Sequence, residues 1–170
     1  IRYTEDKETL WKRLKDCTID CVVTDHSPHT LEAKSVGFPR APAGMPGVET
    51  SLPVMLTHAV EGKCSVTDVV SWMCAGPAKV YGIERKGSII EGYDADLTLV
   101  DLETHRTATD EDTWTKVSWT PYAGRDLTGW PIYTIVDGEI VHRREVGGSL
   151  KGISVAEPGS TGRLLKFNQS

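Results

Sequence analysis

The sequence contains no long apolar run: the longest unbroken one is Trp72-Met73-Cys74-Ala75, far short of the roughly 18 residues of a membrane-span candidate. No charged-then-apolar leader is recognisable, so membrane and secretory readings are set aside. Lys/Arg blocks are also missing, and 19 basic against 24 acidic residues leave a net charge of −5. That balance argues against a nucleic-acid surface, which needs clustered positive charge. The four cysteines, Cys17, Cys21, Cys64 and Cys74, form no CxxC pair and have no histidines at zinc-finger spacing. They read as free thiols of a reducing cytoplasm. No two histidines stand at His-x-His or HExxH spacing, so the chain by itself spells no recognised multi-ligand metal site.

What is present is ordinary globular composition, 39% hydrophobic over 170 residues. That length falls below the roughly 250 residues of a complete (β/α)₈ barrel. The first residue is Ile1 rather than Met, which raises the expectation of a piece of a longer chain.

Residues 5–15 read as a helix, with Glu5 and Asp6 at its positive dipole end and Leu10, Trp11 and Leu14 on one apolar face. Ile19-Asp20-Cys21-Val22-Val23-Thr24 has the β-branched character of a strand buried on both faces of a parallel sheet. From Asp25 to Gly47 neither period persists and prolines and glycines abound. An irregular stretch of about twenty residues inside a domain is usually functional. Helical spacing returns from Val48 to Val60. Ser65-Val66-Thr67-Asp68 resembles a capping box leading a helix through Met73, and Gly76-Pro77 restarts a short one. Near residue 86 the pattern becomes extended, with strands expected at 88–90, 97–100, 130–136 and 139–143, the last two joined by Asp137-Gly138 as a type I′ hairpin. The Gly/Ser-rich stretch from Gly147 to Ser170 reads as a flexible tail.

Asp25 directly follows the expected strand, the place where α/β proteins gather ligand-handling side chains. An aspartate there can ligate a metal and carry a proton between attacking water and leaving group, or it can simply cap the turn before Ser27-Pro28. His29, four residues on, could bind an anionic group or be merely solvated. His58 falls off its helix's apolar face, and His105 and His142 lie in a polar loop and on a hairpin strand; all three read as surface residues.

Taken in order, Asp20 to Thr30 (DCVVTDHSPHT), Ala41 to Thr50 (APAGMPGVET), Lys86-Gly87-Ser88, Glu91 to Leu97 (EGYDADL) and Leu127 to Pro131 (LTGWP) resemble the C-terminal part of dihydroorotases of the amidohydrolase superfamily. The resemblance covers residues 1 to 145. It implies an α/β fold: the C-terminal part of a metal-dependent TIM (β/α)₈ barrel plus a small β-sandwich domain. Residues 1–85 would hold the last barrel strand, the active-site loop and the final barrel helices, 86–146 part of the β-sandwich, and 147–170 the tail. It further implies zinc-dependent interconversion of N-carbamoyl-L-aspartate and (S)-dihydroorotate in pyrimidine biosynthesis. Asp25 would contact the zinc centre and act as general base and acid, His29 would bind the substrate carboxylate, and the Ala43-Gly44 backbone would hydrogen-bond the pyrimidine ring.

The family's remaining metal ligands, a His-x-His, a bridging lysine or acidic residue and two later histidines, have no counterpart in the sequence. The expectation is therefore that activity and a binuclear zinc site belong to a full-length, homodimeric, cytoplasmic parent, while the isolated chain is inactive and binds zinc weakly. Allantoinase or dihydropyrimidinase of the same superfamily is the nearest alternative. A non-catalytic scaffold for aspartate transcarbamoylase is the alternative of another class, against which the retention of Asp25 and His29 weighs.

Overall fold

The computed structural model describes residues 3–145, 148, 152–155 and 164–167. The first helix, α1 (Thr4–Lys15), carries Glu5 and Asp6 in its first turn and Lys12, Arg13 and Lys15 in its last, each charge set opposing the nearer end of the helix dipole. Trp11 and Leu14 turn inward, whereas Leu10, expected on the same face, is exposed.

The segment 19–24 departs from expectation. It forms no strand and belongs to no sheet among the described residues, and Val23 is 59% exposed. A doubly buried parallel strand needs a neighbour on each side, and no described segment runs beside this one. It rests instead on the helices: the Val22 N–H donates to the Trp72 carbonyl at 2.9 Å. The Asp20 carbonyl approaches Gly76 so closely that a Cβ there would lie 2.3 Å from it.

A short helix, α2 (Leu31–Ser35), interrupts the expected loop, its start capped by the Thr30 hydroxyl accepting from Ala33 N–H at 3.2 Å. Next comes α3 (Ser51–Val60), burying Met55 and Leu56. Pro53 sits in its first turn, where a missing N–H costs no ladder bond. The capping box is present: before α4 (Val66–Val70), Asp68 N–H donates to the Ser65 hydroxyl at 3.0 Å and Ser65 N–H to the Asp68 carboxylate at 2.8 Å. The Ser65 N–H first, and the Ser65 hydroxyl second, hold the Asp68 carboxyl below its ordinary range. The helix widens into a π-turn (Ser71–Ala75) that buries Trp72, then continues as α5 (Gly76–Val80) with Pro77 in its opening turn. Leu14, Met55, Leu56, Val69 and Trp72 make one core, with Trp11 edge-on to Trp72 at 6.1 Å.

Beyond it an antiparallel sheet runs in the order β1-β4-β5-β6: β1 (Leu97–Asp101), β4 (Trp130–Val136), β5 (Glu139–Arg143) and β6 (Ile153–Ser154). Asp137 and Gly138 have φ of 52° and 84°, the two positive values of the expected type I′ hairpin. A second pair, β2 (Arg106–Thr107) with β3 (Asp126–Leu127), was not anticipated from the sequence. The expected strand at 88–90 does not form. Ile89 is 86% exposed, and the surrounding turn is closed by Lys86 on Asp94 and Asp96 rather than by a ladder. Ala108, Leu127 and Trp130 form a second core, and Val100 and Leu102 pack on the first, joining the sheet to the helices. Arg144 is buried at the sheet's end, donating from Nε to the Pro131 carbonyl at 3.0 Å and from Nη2 to that of Trp130 at 3.3 Å. Of the expected tail, Ile153–Ser154 pairs with β5 and Phe167 bridges Ile83; the rest of that expectation lies outside the described residues. No described helix is long and apolar enough to cross a membrane.

Candidate active site

Four expected site residues, Asp25, His29, Ala43 and Gly44, lie on the irregular stretch between residue 24 and α3. Asp25 stands at its start with φ +45°, a left-handed conformation uncommon for a non-glycine residue. Its side chain is exposed.

The loop returns beside its own beginning. Ser27 N–H donates to the Met45 carbonyl at 3.2 Å, and the His26 ring Nδ1 accepts from the N–H groups of Gly47 and Val48 at 3.1 and 3.3 Å. Accepting twice at Nδ1 requires that nitrogen to be unprotonated. Gly44 closes the turn at φ +100°, and a Cβ there would lie 2.7 Å from both the Ser27 carbonyl oxygen and its hydroxyl. Only glycine fits that position. Lys34, on α2, donates its ammonium protons to the carbonyls of Pro42 at 2.8 Å and Gly44 at 2.9 Å, gathering the loop's outer arm. The structure therefore brings the Ala43-Gly44 backbone close to the Asp25-to-His29 run.

A second set of contacts comes from the segment between β2 and β3. The Glu49 carboxylate accepts from the N–H groups of Trp114 and Thr115 at 2.7 and 2.8 Å, and the Trp119 indole N–H donates to the His29 carbonyl at 2.8 Å. A small cleft between the two segments is lined by His26, Pro46, Glu49, Thr113, Trp119 and Thr120. His26, Glu49, Lys34 and Trp119 were not singled out from the sequence. His26 lay inside the quoted motif, whereas Trp119 is 90 residues from its partner and carries no local signal.

The other histidines are split. His105 is exposed, its ring Nδ1 2.6 Å from the Thr128 hydroxyl. His58, expected at the surface, is half-buried because its ring packs edge-on against Trp11 at 5.2 Å. His142 is likewise partly covered, lying on β5 between β4 and β6. The four cysteines are free. Among the described residues no group of three His, Cys, Asp or Glu side chains converges on a possible metal position.

The chain belongs to the amidohydrolase family, whose sequence pattern matches residues 4–141. Its relatives include dihydroorotases: that of Pyrococcus furiosus is 37% identical over 97% of this chain and 38% of its own length. That of Anoxybacillus flavithermus is 42% identical over 86% of this chain and 34% of its own. Among solved structures, the L-hydantoinase (dihydropyrimidinase) of Arthrobacter aurescens superposes with a TM-score of 0.80 at 34% identity, over 91% of this chain and 34% of that one. The dihydropyrimidinase of Brevibacillus agri does so at 0.80 and 27%, over 93% and 37%. The chain thus spans little more than a third of the length of these proteins.

Proposed function

We propose that these residues form the closing part of a zinc-dependent cyclic amidohydrolase that interconverts N-carbamoyl-L-aspartate and (S)-dihydroorotate. In this reading the segment 19–24 supplies the last strand of a TIM barrel, and the antiparallel strands belong to a small β-sandwich beside it. The observation that carries the reading is Asp25, an exposed carboxylate in a left-handed conformation at the mouth of a loop closed on itself by His26 and Gly44.

Asp25 takes a proton from the attacking water and delivers it to the departing ring nitrogen. His29 meets the substrate carboxylate, and the Ala43-Gly44 backbone hydrogen-bonds the ring. A carboxylate oxygen is a suitable zinc ligand, so Asp25 fits the metal, but it is one ligand. The others come from the part of the enzyme that these residues do not include. Bound zinc supplies Lewis-acid polarisation of the scissile carbonyl. The full enzyme works in the cytoplasm as a homodimer.

Hydantoinase or dihydropyrimidinase activity is the second reading, favoured by the solved structures that superpose on the chain. Their ring substrates carry no carboxylate before opening, which leaves His29 without a task. The test is steady-state turnover of dihydroorotate, dihydrouracil and allantoin by the full-length protein and its Asp25→Asn variant. Preference for dihydroorotate, with kcat lowered about 10²- to 10⁴-fold in the variant, supports the proposal. Preference for either other substrate, or an active Asn variant, refutes it.

A further inference from the structure

We propose that Trp119 is a positioning residue for the site: its indole N–H, held 2.8 Å from the His29 carbonyl, sets where the His29 ring stands relative to Asp25. The proposal rests on the reading of His29 as the group that meets the substrate carboxylate. It assigns a part in the site to the segment between β2 and β3, a stretch that holds none of the expected site residues.

That segment is braced before it reaches the loop. Thr113 donates twice to the Asp110 carbonyl, from N–H at 3.2 Å and from Oγ1 at 2.8 Å, and Thr120 N–H donates to the Asp110 carboxylate at 2.8 Å. Ala108 N–H donates to the Arg125 carbonyl and Gly124 N–H to the Ala108 carbonyl, closing its base at 2.9 and 2.8 Å. Ala108, Thr113 and Thr120 are all buried. The strap is therefore a shaped loop and not a loose one.

It grips the site loop at two points. Glu49 holds the strap at Trp114 and Thr115 by two charge-assisted bonds, and Trp119 reaches the opposite arm at His29. Asp25 and His29 are separated by three residues without helix or sheet bonds of their own. The spacing of their side chains thus depends on what restrains the main chain at each end. His26 and Ser27 restrain it from the Asp25 side, through Gly47, Val48 and Met45, and at His29 the indole does so. An indole is a donor only, and the peptide carbonyl it meets cannot be replaced by side-chain substitution at 29. The contact therefore survives any residue there while fixing its place.

The test removes the N–H alone. In the full-length protein, Trp119 is replaced by phenylalanine and, separately, by 3-benzothienylalanine, which keeps the bicyclic shape and puts sulfur where the N–H was. The expected result in both is a KM for dihydroorotate raised about 5- to 10-fold with kcat within about 3-fold, the size of one lost hydrogen bond spent on substrate placement. A shift of the His29 ring signals in ¹H–¹⁵N spectra, with those of His105 unmoved, is expected alongside. If the phenylalanine protein does not fold, the isosteric replacement is read instead. Unchanged KM in the benzothienyl protein, or unmoved His29 signals, overturns the proposal. Wild-type protein that does not turn over dihydroorotate refutes the proposed activity, and the His29 signals then decide the positioning by themselves.

Discussion

Gly76→Ala is a substitution on which two physical effects pull in opposite directions. Gly76 opens α5 directly after the π-turn. In a helix, alanine is favoured over glycine by about 1 kcal/mol, so propensity alone predicts stabilisation. The new Cβ, however, would stand 2.3 Å from the Asp20 carbonyl oxygen, 2.9 Å from that of Ser71 and 3.3 Å from the Cys21 Cβ. Two of these three are backbone atoms that no rotamer change can move. Relief requires the segment 19–22 to lift from the helices, at the roughly 1–3 kcal/mol typical of an overpacked methyl. It also strains the Val22-to-Trp72 hydrogen bond, worth about 1 kcal/mol net. The opposing sum outweighs the propensity gain and leaves a net loss of about 1–3 kcal/mol. Urea unfolding of the chain reads this as a midpoint lowered by about 1 M at an unchanged slope. A variant as stable as the parent, or more so, would refute the claim that this close approach seats the 19–24 segment. Because Asp25 follows that segment, the same displacement moves the proposed proton carrier.

Gly129 has φ +84° and would place a Cβ 2.4 Å from that of Leu56, so Gly129→Ala combines left-handed strain with overpacking. A loss of about 2–5 kcal/mol is expected in the same unfolding experiment, and a loss below about 1 kcal/mol would contradict the contact. Ser65→Ala removes the α4 cap and should cost about 1 kcal/mol, with Ser65→Asp restoring most of it. Acid should destabilise the chain through carboxyls whose folded values lie below the ordinary range. Asp68 is held down by the Ser65 N–H and hydroxyl, and Asp101 by the Thr104 hydroxyl and the Glu103 N–H. Depressed carboxyls contribute stability that is full above their unfolded value of about 3.9 and disappears as pH falls through the folded values. The unfolding midpoint should therefore hold from roughly pH 6 to 5 and fall below about pH 4; a midpoint that rises on acidification would reverse the sign.

How much could be read in advance depended on how local the cause was. The α4 capping box and the Asp137-Gly138 hairpin were legible because both are decided within four residues, by a hydroxyl facing an N–H and by two positive φ values. The first helix was legible from its charges and apolar spacing, although Leu10 points to solvent because only Trp11 and Leu14 meet a partner. Strand patterning misled at 88–90, where three suitable residues lie in a turn closed by Lys86. It was incomplete at 19–24, where the residues suit a buried strand and no described neighbour pairs with them.

The site divides along the same line. Asp25, His29, Ala43 and Gly44 are proposed for the site from an ordered motif that resembles a known family. The sequence alone determined which residue types stand at each place, because the chemistry of a carboxylate, an imidazole and a glycine belongs to the residue itself. Only the tertiary structure decided that His26 would hold the loop's far arm, that Gly44 would lie against Ser27, and that Trp119 would reach His29 from 90 residues away. Those are long-range contacts, set by how the helices and the antiparallel sheet pack on one another, and no spacing within either segment encodes them.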